Sequence, residues 1–171
     1  GRSVADRLGE FEMHRMDISD GAVLEKGCVY LVPLMERLAL PADVEAVANA
    51  KSSTGRLDLL TRAITDGGTE FDRVPAGYRG PIYAEICPRS FSVLVRPGMR
   101  LNQIRFRRGD ARLADDALAA LHARSPLVDT PPVIDGGLGF SVDLAPETGS
   151  LVGYRAKPHT GVIDLDRIGG Y

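Results

Sequence analysis

The chain has 171 residues, 44% of them hydrophobic, and a formal charge of −2. That suffices for one ordinary folded domain, or one domain plus a piece of another. The near-neutral balance gives no electrostatic reason to expect a nucleic-acid or membrane partner.

No apolar run approaches the roughly 18 residues needed to cross a bilayer, and the N-terminus lacks the apolar stretch of a signal peptide. Cys28 and Cys87 lie far apart, as expected of two buried thiols in a reducing compartment. A cytoplasmic location follows as the expectation. The 19 glycines and 11 prolines predict many turns and short strands rather than long helices.

In chain order, residues 21–40 contain two β-rich runs, split by Lys26-Gly27 and by Pro33, with 28–32 expected as a buried strand. Residues 38–40 read as a strand end before the turn Pro41-Ala42-Asp43, and 44–48 as a further strand. Asn49 is placed to cap a short helix over 51–57, ended before the apolar Leu59 and Leu60. Residues 66–80 are rich in turns around one short β-bridge. Strands are expected at 81–86 and 90–95. Arg96-Pro97-Gly98-Met99 then reads as a turn with proline second, leading into a strand at 100–106.

The one long helix expected is 113–123, where Leu113, Ala117, Leu118 and Leu121 make an apolar stripe. Residues 125–139 read as a linker. Strand-like pieces follow at 141–144, 151–155 and 161–165. Many short strands with little helix predict a mainly β fold, a barrel or a sandwich.

Three segments carry chemistry: K-S-S-T-G-R (51–56), F-D-R-V-P-A-G-Y-R-G-P-I-Y-A-E (71–85) and R-P-G-M-R-L-N-Q-I-R-F (96–106). Each has a bland reading: a Ser-Ser cap, a glutamate turned to water, an arginine-rich solvated face. Taken together they suit an anion-binding and acid–base site. Hydroxyls and an arginine fit phosphate oxygens. On a helical turn Ser52 and Arg56, four apart, share a face, with Ser53 on the flank. Glu85 is the one carboxylate in an otherwise apolar strand, a natural place for a general base.

This ordered set resembles the dCTP deaminases of the dUTPase-like superfamily, and most closely their long bacterial form with two related halves in one chain. The resemblance implies a mainly β fold, a distorted jelly-roll-like barrel with a few short helices. It also implies a homotrimer, or a pseudo-trimer of tandem halves, with sites between subunits. The implied reaction is hydrolysis of dCTP to dUTP and ammonia, with Mg2+ carried only on the substrate triphosphate.

By position, Glu85 would be the general base, with Ser52 and Arg56 holding the water and the leaving amino group. Lys51 and Ser53 would meet phosphates, and Gln103 likewise. Asp72 would sit near the sugar 3′-hydroxyl, and Tyr83 and Ala84 would line the base pocket through backbone groups. No zinc is expected, because the His-x-Glu and Pro-Cys-x-x-Cys of zinc deaminases are missing. Cys87 is followed by Pro88, and His14, His122 and His159 are scattered, as structural or surface histidines are.

The chain departs from the family pattern at Arg73-Val74, which separate Asp72 from Pro75. The family's N-terminal strand motif and its closing tyrosine–lysine segment are not found. The expected organisation is a barrel half over 1–124 closed by the 113–123 helix, the linker 125–139, and the start of a second related half at 140–171.

Two other functions are weighed. A dUTP diphosphatase shares the barrel and the Tyr78-Arg79-Gly80 signature, and would use Asp72 to activate water; a bifunctional enzyme would do both. A non-catalytic half would only bind nucleotide or build the oligomer. Glu85 favours deamination over the first, and the joint presence of Ser52, Arg56 and Glu85 argues against the second. The arginines at 96, 100, 105, 107, 108 and 112 do not make a nucleic-acid surface, since Asp110, Asp115 and Asp116 follow without interleaved aromatics.

Overall fold

The computed structural model describes residues 1–110, 112–144, 151–153 and 161–167. It divides into two compact units, Gly1–Gly109 with Ala156–Tyr171, and Asp110–Arg155.

In chain order the first unit contains α1 (Val4–Phe11), β1 (Ala22–Leu24), β2 (Tyr30–Ala39), β3 (Val44–Ala50), α2 (Ser52–Gly55), β4 (Leu59–Thr65), β5 (Arg73–Val74), β6 (Arg79–Pro88), β7 (Val93–Val95) and β8 (Asn102–Arg108). The second contains α3 (Asp115–Arg124), β9 (Val133–Ile134) and β10 (Leu138–Gly139), and β11 (Ile163–Asp164) returns to the first. The first unit is mainly β with short helices, as expected. Its strands form three sheets of three, ordered β2-β6-β4, β5-β3-β8 and β1-β7-β11.

Period-2 alternation explains the layers. Along β4, Leu59, Thr61, Ala63 and Thr65 are buried while Leu60, Arg62 and Ile64 turn outward. On β6, Ile82, Ala84 and Ile86 point in and Tyr83 and Glu85 point out. On β3, Val44, Ala46 and Ala48 are buried. Small side chains let the two sheets approach, since Ala48, Ala63 and Ile82 form one cluster between them. A larger cluster gathers Leu24, Leu59, Ala84, Ile86, Val93, Val95 and Ile163 from the sheet β2-β6-β4 and the sheet β1-β7-β11.

Several expectations are corrected. β2 runs through Pro33, with a register irregularity between Pro33 and Arg37. The strand is at the edge of its sheet, where a residue without an N–H costs no ladder bond. It starts at Tyr30, so Cys28 falls outside it and is exposed; Cys87 is buried, and both thiols are free. α1 and β4 were not anticipated. α1 is capped by Ser3 Oγ, which accepts the Asp6 N–H at 3.1 Å, and tied down by the Val4 N–H on Asp66 Oδ1 at 2.7 Å.

In the second unit α3 falls close to its expected place, but none of its residues is buried, and Leu113 of the apolar stripe is 53% exposed. Its ends suit the helix dipole, with Asp115 and Asp116 in the first turn and His122 and Arg124 in the last. The stretch read as a linker carries the antiparallel hairpin β9–β10, whose Gly136 N–H reaches Asp115 Oδ2 at 3.0 Å. No strand forms at 141–144 or 151–153. Residues 154 and 155 of the next expected strand lie outside the described residues, as does His159.

β11 pairs in parallel with β7, and an ion cluster secures it. Arg96 Nη1 and Nη2 donate to Asp164 Oδ1 and Oδ2 at 2.7 and 2.9 Å, and Nη1 also reaches Asp166 Oδ2 at 2.7 Å. Hydrogen bonds from Arg96, then from the Asp166 backbone N–H, hold the Asp164 carboxyl down at about 2 against an ordinary 3.8.

The Tyr78-Arg79-Gly80 signature has a packing role. The Tyr78 hydroxyl accepts the Asp66 N–H at 2.9 Å and donates to the Pro81 carbonyl. A methyl group on Gly80 would meet Tyr78 Oη at 2.7 Å and Cζ at 3.0 Å. Gly80→Ala should therefore cost about 1–3 kcal/mol in urea unfolding. Adding Tyr78→Phe should cost less in that variant than in the wild type, because the hydroxyl at issue is gone.

The Arg96–Asp164 pair generates a pH prediction. A depressed folded-state value means that its contribution is complete above the ordinary 3.8 and is lost as the pH falls toward about 2. The Ile163 amide, which donates to Ser92 O at 3.0 Å, should keep its hydrogen-exchange protection factor to near the upper value and lose it below. Asp164→Asn should abolish that pH dependence; an unchanged profile in the variant would disprove the assignment.

Candidate active site

K-S-S-T-G-R forms one tight turn at the end of β3. Its cap is Lys51, whose backbone is extended (φ −62°, ψ 150°), and the Gly55 and Arg56 N–H groups donate to Lys51 O and Ser52 O at 2.9 and 3.0 Å. Asn49 is not the cap. It is still in β3, paired with Gln103 on β8, and its Nδ2 donates to Ala50 O at 2.8 Å. Thr54 is the buried anchor, whereas Ser52, Ser53 and Arg56 are exposed.

Next to this turn lies the Arg96–Met99 turn. Gly98 adopts φ +81° and the Met99 N–H reaches Arg96 O at 3.3 Å, so glycine occupies the left-handed position that a type II turn requires. The Lys51 N–H donates to Leu101 O at 2.9 Å and joins the two turns. Between them is a cleft of about 330 Å³, lined by Lys51, Ser53, Thr54, Met99, Arg100 and Asp166 among others. Two cations and two hydroxyls facing one cleft can receive an anion.

Glu85 sits elsewhere, on the outward face of β6, with its side chain 18% exposed. Directly opposite on β4 is Arg62. Arg62 Nε donates to Glu85 Oε1 at 3.0 Å, and Nη2 reaches the same oxygen. The guanidinium carbon lies 3.6 Å from the centroid of the Phe71 ring. Among the described residues no ion pair joins Arg56 to Glu85.

Tyr83 shares the outward face and is half-buried, while Ala84 is 1% exposed and points into the core. β6 is paired with β2 on one side and β4 on the other at Ala84. Asp72 has φ +61°, and its Oδ1 accepts the Ala63 N–H at 2.7 Å. Its backbone N–H donates to Ala63 O and its carbonyl accepts the Ala48 N–H, both at 2.8 Å, so it links β3 to β4. Gln103 is exposed on β8. His122 has a structural partner, its Nδ1 accepting the Leu127 N–H at 3.1 Å.

The structure thus groups Lys51 with Ser53, and Glu85 with an unforeseen Arg62 and Phe71. Arg100 also joins the cleft unforeseen. Arg62 had one available signal, as the only charged residue in the alternating 59–65 run, but its partner is fixed by a register 23 residues away.

Residues 1–110 match the family model described as the 2′-deoxycytidine 5′-triphosphate deaminase N-terminal domain, and residues 114–171 match that of its C-terminal domain. A curated dCTP deaminase of Ignicoccus hospitalis is 33% identical over 106 residues, which is 62% of this chain and 54% of that protein. A crystal structure of 2′-deoxycytidine 5′-triphosphate deaminase from Agrobacterium tumefaciens superposes with a TM-score of 0.76 at 53% identity, covering 100% of this chain and 52% of that one. The chain therefore spans about half the length of these relatives, and it supports the dUTPase-like fold. With the family model matching well over half of its residues, it belongs to the 2′-deoxycytidine 5′-triphosphate deaminase family.

Proposed function

We propose that the protein carrying this chain hydrolyses dCTP, presented as its magnesium complex, to dUTP and ammonia, with Glu85 as the general base. The observation that carries this reading is the placement of Glu85. It is the sole carboxylate on the outward face of a central, doubly paired strand, with one oxygen engaged by Arg62. A fixed, largely shielded carboxylate is what proton abstraction from water requires.

In this reading Ser52 and Arg56 handle the water and the leaving amino group, and the exposed guanidinium of Arg56 stabilises charge that develops on the ring. Lys51, Ser53 and Gln103 receive the phosphates, and the cleft supports that role for Lys51 and Ser53. Asp72 would use Oδ2 toward the sugar, since Oδ1 is committed to Ala63. Tyr83 shapes the base pocket, and Ala84, whose side chain lies in the core, would contribute through backbone groups alone.

Arg56 and Glu85 are not joined within one chain, so the reading places the complete site between copies, in a homotrimer or a pseudo-trimer of tandem halves. Apolar exposure beside Glu85 supports a covered face: Leu60 is 40% and Phe71 45% exposed. The diphosphatase alternative would draw on Asp72, whose Oδ1 is likewise held, by the Ala63 N–H.

The experiment is ammonia release from dCTP by the intact protein. Glu85→Gln should lower kcat by about 10²–10⁴-fold while dCTP still binds in calorimetry. Pyrophosphate from dUTP without ammonia from dCTP would establish the diphosphatase instead, and binding without turnover of either would establish a scaffold.

A further inference from the structure

We infer that Arg62 is the positioning residue for Glu85, an inference that rests on the deamination reading above. Two guanidinium donors, Nε and Nη2, converge on one carboxylate oxygen, Oε1. A fork-to-fork pair would engage both oxygens; here Oε2 accepts no hydrogen bond among the described residues. The side chain is thereby fixed at one oxygen and left open at the other.

The guanidinium is itself constrained. Phe71 stacks on it at 3.6 Å, a cation–π contact, and β4 holds its backbone opposite Glu85. Carboxylate, guanidinium and ring therefore form one row on the outward face, each limiting the rotamers of the next.

The chemistry assigns different work to the two oxygens. Oε2 takes a proton from water; that O–H bond breaks as the oxygen bonds to cytosine C4 and the C4=N3 π pair moves onto N3. The C4–N bond then breaks, and the proton on Oε2 passes to the departing amino group, which leaves as ammonia. The second water proton ends on ring N3 of the uracil product. Glu85 is returned as the anion, and Arg62 exchanges no proton. Its contribution is geometric, keeping Oε2 aimed at the water while Oε1 is occupied.

The test is steady-state kinetics of the intact protein with magnesium dCTP. Arg62→Gln should lower kcat about a hundredfold, the scale of a misplaced catalytic group, with KM changed by less than about twofold. Arg62→Lys, which keeps the charge but not the fork, should lose about tenfold. Added guanidinium should restore part of the kcat of Arg62→Ala and none of that of Glu85→Gln, which separates lost positioning from lost folding.

A raised KM at unchanged kcat would make Arg62 a substrate-binding group, and unchanged kinetics would make the pair a surface contact; either overturns the inference. Wild-type protein that releases no ammonia from dCTP would sink the deaminase reading together with it. Wild-type turnover with insensitive Arg62 variants would sink the inference alone.

Discussion

The register between β4 and β6 is the constraint on which the rest of the molecule depends. In the observed pairing Thr61 opposes Ile86 and Ala63 opposes Ala84, all four inward, while Arg62 opposes Glu85 outward. A slip of β4 by one residue would exchange its faces, putting the Arg62 guanidinium into an alanine-lined core and leaving Glu85 unpaired outside. Burying unpaired charges there would cost far more than the sheet gains from pairing. The core thus selects the register, and the register creates the polar row on the opposite face.

The same economy of small side chains shapes the cleft. Ala48 and Ala63 let β3 lie close against β4, and β3 delivers Lys51 at its end. The turn after it is too short to be stable by itself, and it persists because Thr54 is buried and the Lys51 N–H is tied to Leu101. Asp72 adds a bridge from the loop side, bonded to both β3 and β4. The Lys51 turn and the carboxylate row are therefore mounted on two sheets that share one core.

Legibility in the sequence followed the range of the interactions. K-S-S-T-G-R was readable as a short polar turn, and the Arg96–Met99 turn with it, because proline and glycine positions fix turns locally. Glu85 stood out as a charge in an apolar run. Its partner did not, since cross-strand neighbours are set by long-range register. The cap was misassigned to Asn49 because nothing local shows that β3 continues to Ala50. Pro33 appeared to end a strand, yet its edge position removes the penalty. β11 was foreseen as a strand, but its parallel pairing with β7 through Arg96, Asp164 and Asp166 joins residues about seventy apart. The stripe on α3 shows the opposite failure: a helical apolar period was present, but no core of its own covers it.

Stability alone does not account for the Arg62–Glu85 pair. Its side chains are 36% and 18% exposed, and a partly shielded pair on the outer face of a sheet contributes on the order of 1 kcal/mol. Valine or threonine at both positions would suit an outward β face as well, with no charge to desolvate. The arrangement instead fixes three side chains in one row and leaves one carboxylate oxygen that accepts no hydrogen bond among the described residues. Restricting rotamers in this way carries an entropy cost that folding does not require of surface residues. In the proposed deamination reading, a group held still at one oxygen meets the demands of proton transfer, where orientation decides the rate, rather than those of the fold.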